Sequence, residues 1–219
     1  MLNLPETLTL LSYDEGGRNR IVVGTEFNAC LAGGALLELA WAGKVAVTPE
    51  QVTVLDPQPL GNPTLDHVLA TVAAGPPRSP GQWTCLSRSP LPELRAHCRQ
   101  ALVDQGLMQA RARRVLFLFP GTAYVPDFSV WQALASEARG ILQGPLTDDL
   151  RRQVLGALVD LASLTWPLIP SPPEFHPARE RARELRTQVL KAEVEPAVRL
   201  LMLGVEAAKD QSDSSASGM

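Results

Sequence analysis

Residues 34–57 read GALLELAWAGKVAVTPEQVTVLDP, and two different periods follow one another within them. The run from Gly34 to Ala42 is almost wholly apolar, rich in Ala and Leu, and too long for a strand; it stops at Gly43, a residue suited to the position just past a helix end. This predicts a central, buried helix. From Lys44 to Asp56, β-branched residues alternate on either side of Thr48-Pro49-Glu50, which predicts a hairpin. Glu38 interrupts the apolar helix and leaves two readings open: a buried acid that organises an arginine, or the solvent edge of the helix.

The same unit recurs at 92–120. A helix from near Pro92 carries Leu94, Cys98, Ala101 and Leu102 on one stripe and stops at Gly106. Leu107 to Gln109, a basic turn holding Arg111, Arg113 and Arg114, and a strand over Val115 to Phe119 then read as a second hairpin. A two-stranded hairpin is not stable alone, so each must pack on its helix.

Outward from these units the chain is mostly helical. Pro5 to Ser12 reads as a helix, Tyr13 to Gly17 as a turn, and Arg20 to Val23 as a short strand. Asn62-Pro63 opens a helix with Leu65, Val68, Leu69 and Val72 at helical spacing, and 75–80 is a loop. Ser129 and Gln132 fit a capping box before the stripe Val130, Trp131, Leu134, Ala138, Ile141, Leu142. Leu150, Val154, Leu158 and Leu161 mark another helix. Trp166 to Pro177 reads as a Pro-rich connection, Pro177 and Pro196 open two amphipathic helices, and Lys209 to Met219 reads as a disordered Ser-rich tail. The expected fold is mainly α, one domain over 1–208 followed by the tail 209–219.

Composition narrows the function. No window of 18 apolar residues exists, and the N-terminus lacks a basic segment and a small-residue cleavage site, so a cytoplasmic protein is expected, peripheral on the inner face of the membrane where it meets one. Three cysteines, an odd number, fit a reducing compartment. His67, His97 and His176 show no metal-ligand spacing, and there is no phosphate loop or nucleophile elbow. The expectation is therefore a binding protein, not an enzyme, with no metal and no cofactor. Arginine outnumbers lysine 17 to three, a coding bias that leaves only local clusters informative.

One such cluster stands out. Arg111, Arg113 and Arg114 lead directly into Leu116, Phe117, Leu118 and Phe119. Apolar side chains beside a basic cluster suit an anionic membrane surface; a fully buried strand is the plainer reading. Arg95 and Arg99 lie one turn apart on the preceding helix.

Taken in order, LPETLTLLSYDEGGR (4–18), AGGALLELAWAGKVAV (32–47), VTVLDPQPLGNPTLDHVL (52–69) and ALVDQGLM (101–108), followed by VLFLFPGTAYVP (115–126), resemble the Golgi phosphoprotein 3 family in its bacterial branch. The resemblance implies a helical bundle wrapped by amphipathic helices, with one projecting hydrophobic hairpin that inserts into membranes or mediates self-association. Eukaryotic relatives bind phosphatidylinositol 4-phosphate and grip the cytosolic tails of Golgi glycosyltransferases. Their headgroup pocket uses a Trp and three Arg, which fall here at Val23 (or Phe27 with a gap), Ala32, Pro92 and Arg95, so only the last is matched. With that match, Arg95, Arg99, Arg111, Arg113 and Arg114 are the candidate headgroup site, and the expected partner is an anionic phospholipid headgroup, with protein tails as further partners. The alternative is a winged-helix-like nucleic-acid binder with Arg111, Arg113 and Arg114 on its wing; the net charge of −3 counts against it.

Overall fold

The computed structural model describes residues 2–21, 24–85, 91, 93–115, 119–191 and 193–216. Among them are ten helices and two antiparallel hairpins. The centre is α2 (Gly24–Trp41), which buries residues on every side, as a helix without a polar face must. Helix α1 (Leu4–Leu11), also buried throughout and capped by Asn3, lies against it. Helices α3 (Pro63–Ala74), α5 (Leu94–Asp104), α7 (Leu150–Leu161) and α10 (Pro196–Ala216) pack around α2. The short α4 (Pro80–Trp83) is held between α2 and α10. Outside these lie α6 (Phe128–Gln143), α8 (Thr165–Leu168) and α9 (Pro172–Val189). One apolar cluster runs through residues of all ten helices, and a smaller one of Leu10, Tyr13, Leu102 and Met108 lies beside it.

Helix α2 begins ten residues before Gly34, where the sequence reading starts it. Its first half contains Gly24, Thr25, Asn28 and Gly33, poor helix formers whose intrinsic preference is overridden by burial. The two adjacent glycines admit close neighbours. A Cβ on Gly33 would collide with Val205 of α10, and one on Gly34 would lie 3.2 Å from the Leu4 Cβ.

The first hairpin matches its prediction, β1 (Val45–Val47) pairing with β2 (Val52–Val54), with Gly43 at φ +69° closing α2. The second differs. Strand β3 (Met108–Val115) pairs over its full length with β4 (Phe119–Pro126), from Met108↔Pro126 to Val115↔Phe119. The three arginines therefore lie on a strand and not in a turn, and 115–119 is not one strand, since Val115 and Phe119 are partners across the ladder. Gln109-Ala110-Arg111-Ala112-Arg113 alternates polar and small residues, which is the period of a strand.

The turn expected after Tyr13 is present, bridged Tyr13↔Asn19; Arg20 and Ile21 are not in a strand, and Val22 and Val23 of the expected short strand lie outside the described residues. Three further expectations are corrected. The cap of α6 is Asp127, whose carboxylate accepts the Val130 N–H, while the Ser129 hydroxyl donates to that carboxylate instead of capping. The Pro-rich stretch is mostly helical: α8 occupies 165–168 and α9 starts at Pro172, because prolines in a first turn lack only N–H groups that would go unpaired anyway. Pro177 is inside α9. Helix α10 continues to Ala216, so the segment read as a disordered tail is helical as far as the described residues go.

Glu38 takes the first of its two readings. Its side chain is 12% exposed and receives both nitrogens of Arg151. No described helix is long and apolar enough to cross a membrane.

Candidate functional site

The second hairpin is fastened at its base. Met108 is buried with Leu10, Tyr13 and Leu102, and the Asp127 N–H donates to the Leu107 carbonyl. The turn after α1 also packs on β4. Gly17, at φ +77°, comes so close that a Cβ would sit 2.7 Å from the Tyr124 carbonyl oxygen. Beyond the base, the β3 side chains from Gln109 to Ala112 are all exposed. The hairpin thus leaves the body directly beside α5.

Arg95 and Arg99 stand one turn apart on α5, both half-buried. The Arg95 guanidinium carbon lies 5.5 Å from the ring centre of Phe27, a fully buried residue of α2. That of Arg99 lies 4.9 Å from the ring of Tyr124 on β4. Burial lowers the basicity of Arg95 below its ordinary value and the charge of Arg99 adds to the effect, while the Tyr13 phenol opposes it. The Arg99 Nε is buried without a hydrogen-bond partner among the described residues. No carboxylate among those residues forms an ion pair with Arg95, Arg99 or Arg111. Arg111 donates to the Gln109 side chain at 2.8 Å.

The five candidate arginine positions are divided between α5 and the two faces of β3. Ala110 pairs with Tyr124, so Arg99 approaches the ribbon face that also holds position 114. Positions 111 and 113 fall on the opposite face. Leu116, Phe117 and Leu118 lie outside the described residues; Phe119 is placed only by its backbone, opposite Val115.

The pocket implied by the family resemblance is reduced at the positions that can be seen. Ala32 is buried and lines a cavity of about 20 Å³ with Asn28, Trp83 and Thr84, room for about one water and not for a headgroup. Val23 and Pro92 lie outside the described residues. Two relationships escaped the sequence. The rings behind Arg95 and Arg99 come from α2 and β4; alternation in TAYVP could have marked Tyr124 as paired with β3, but nothing local couples Phe27 to α5. His67 and His97, far apart in the chain, are stacked with ring centres 3.7 Å apart. No group of three or more potential metal ligands forms among the described residues.

A comparison with curated proteins gives no match. The family model described as Golgi phosphoprotein 3 (GPP34) matches residues 4–201, a span that takes in both hairpins and the helices around α2. The chain belongs to the Golgi phosphoprotein 3 family.

Proposed function

We propose that this is a peripheral membrane protein that binds anionic phospholipid headgroups through α5 and the second hairpin, and that it serves as an adaptor for other proteins at that surface. One observation carries the lipid reading: two half-buried guanidiniums on successive turns, each laid on an aromatic ring, with no carboxylate paired to either among the described residues. Burying an unpaired cation is unfavourable unless an anion completes it. A guanidinium over a ring still has N–H groups to offer the two oxygens of a phosphate, and of the two Arg95 also interacts with the Tyr13 phenol. Arg111, exposed on β3, adds long-range attraction, and the apolar residues 116–119 are the segment that would enter the acyl boundary. The adaptor role rests on the family resemblance alone.

Co-sedimentation with phosphatidylglycerol-containing vesicles tests the lipid reading. Binding is expected to exceed that to phosphatidylcholine vesicles, to weaken as salt rises, and to weaken further with Phe117→Ser and Phe119→Ser. Absence of salt-sensitive binding to any anionic vesicle overturns it. A random DNA duplex in a low-salt gel shift serves as the control; binding there in preference to vesicles would favour a nucleic-acid function.

A further inference from the structure

We propose that the cleft between the end of α1, the start of α6 and α8 binds a small organic carboxylate with a flat apolar body. This cleft is a cavity of about 340 Å³, within the range of small-molecule sites, roughly 300–1,000 Å³. Its walls are Tyr13, Phe128, Trp131 and Pro167, and its charged lining residues are Asp14, Glu15, Arg20 and Arg139. Phe128 is 53% exposed, a large apolar ring without cover. Trp131 is fixed in place because its Nε1–H donates to the Tyr13 carbonyl at 2.7 Å. The two rings give a preset surface on which an aromatic body can stack.

Arg139 supplies the polar end. Its Nε–H donates to the Leu168 carbonyl at 2.8 Å, which orients the guanidinium, and no carboxylate among the described residues forms an ion pair with it. The nearby acid Asp14 does not compensate it. One Asp14 oxygen accepts the N–H groups of Gly16 and Arg18, and the other is paired with Arg20. What remains is the oriented guanidinium of Arg139 beside aromatic walls, with Arg20 held by Asp14 and the exposed Glu15 also lining the cleft. A single guanidinium matches the two oxygens of a carboxylate. A phosphate dianion would need more donors and would meet stronger repulsion from Glu15.

Phenylacetate is the probe, with the Trp131 indole N–H resonance as readout, assigned through Trp131→Phe. A saturable shift is expected, with affinity about tenfold weaker in Arg139→Gln. Phenylacetamide, of the same shape without the charge, should give no saturable shift. Phe128→Ala should weaken binding, and because that ring is exposed the variant should fold normally. Glu15→Gln should strengthen binding by removing the like charge, and Arg111→Ala, an exposed position on β3 whose side chain donates to Gln109, should leave it unchanged, which separates this cleft from the lipid site. Equal binding of phenylacetamide, undiminished binding in both Arg139→Gln and Phe128→Ala, or no shift up to about 10 mM phenylacetate would each overturn the proposal.

Discussion

Arg151 grips Glu38 with both terminal guanidinium nitrogens, Nη2 to Oε1 at 2.6 Å and Nη1 to Oε2 at 2.9 Å, joining residues 113 positions apart in sequence. The same pair holds the start of the chain. Glu38 Oε1 accepts the Leu4 N–H at 2.7 Å, and Arg151 donates to the Leu2 carbonyl at 3.1 Å. The guanidinium also lies 5.6 Å from the ring centre of Trp41. Glu38 thus interrupts the apolar run of α2 in order to anchor α1 and α7 upon it.

Glu38→Ala is therefore expected to destabilise the fold by about 2 kcal/mol. That figure lies between the values for exposed and fully buried pairs, since the Arg151 side chain is 34% exposed. Urea denaturation should show a lower midpoint at unchanged slope. In the double variant with Arg151→Met the loss should be less than the sum of the two single losses, because the partners act as a unit.

Gly33→Ala should destabilise as well, although alanine is the better helix former. The new methyl would collide with Val205 of α10, and such overpacking costs about 1–3 kcal/mol. Adding Val205→Ala should recover part of the loss, which thermal unfolding of the three variants would show. No loss in Gly33→Ala would mean that α10 does not sit this close to α2.

The His67–His97 stack makes stability depend on pH. Burial and the charge of His97 lower the His67 pKa below its ordinary 6.5, with Glu93 opposing. The unfolded chain then binds more protons than the folded one in the window below 6.5, so stability should fall as pH drops through it. His97→Ala should raise the His67 pKa, read by NMR titration. A pKa that does not rise would show that the two rings are not coupled.

Asp127 works at lower pH. The Ser129 hydroxyl, and after it the Val130 N–H, hold its carboxyl below the ordinary value. The stability this gives α6 is present above the unfolded-state value and is lost as pH falls through the folded one. The stability difference between the native chain and Asp127→Asn should therefore shrink on acidification, as measured by urea midpoints at pH 6 and about pH 3.

Where the chain's own period matched its environment, the fold was legible. Leu36, Leu37 and Leu39 mark a buried helix, and Val45, Val47, Val52 and Val54 mark a hairpin, with Gly43 dividing them. Where tertiary contacts overrule local preference it was not. The helix extends back from Gly34 because Phe27, Cys30 and Leu31 are fully buried and Gly33 lies against Val205 of α10, and Pro172 and Pro173 look like a break until they are seen to occupy a first turn. The basic run on β3 reads as a turn by its charge, whereas the small residues alternating with it carry the period of a strand. For the site, the spacing of Arg95 and Arg99 was enough to pair them on one helix face. Their supporting rings, Phe27 and Tyr124, arrive from other elements, and no local pattern encodes that meeting.

The most direct test of the account is vesicle binding by the Arg95→Ala, Arg99→Ala double variant. Both side chains lie over rings without ion pairs among the described residues, so circular dichroism should show the fold retained. Affinity for phosphatidylglycerol vesicles at low salt is expected to fall at least tenfold, roughly the contribution of one charge-assisted hydrogen bond, and the salt dependence should flatten. A folded double variant that binds these vesicles as tightly, with the same salt dependence, would contradict a headgroup site on α5.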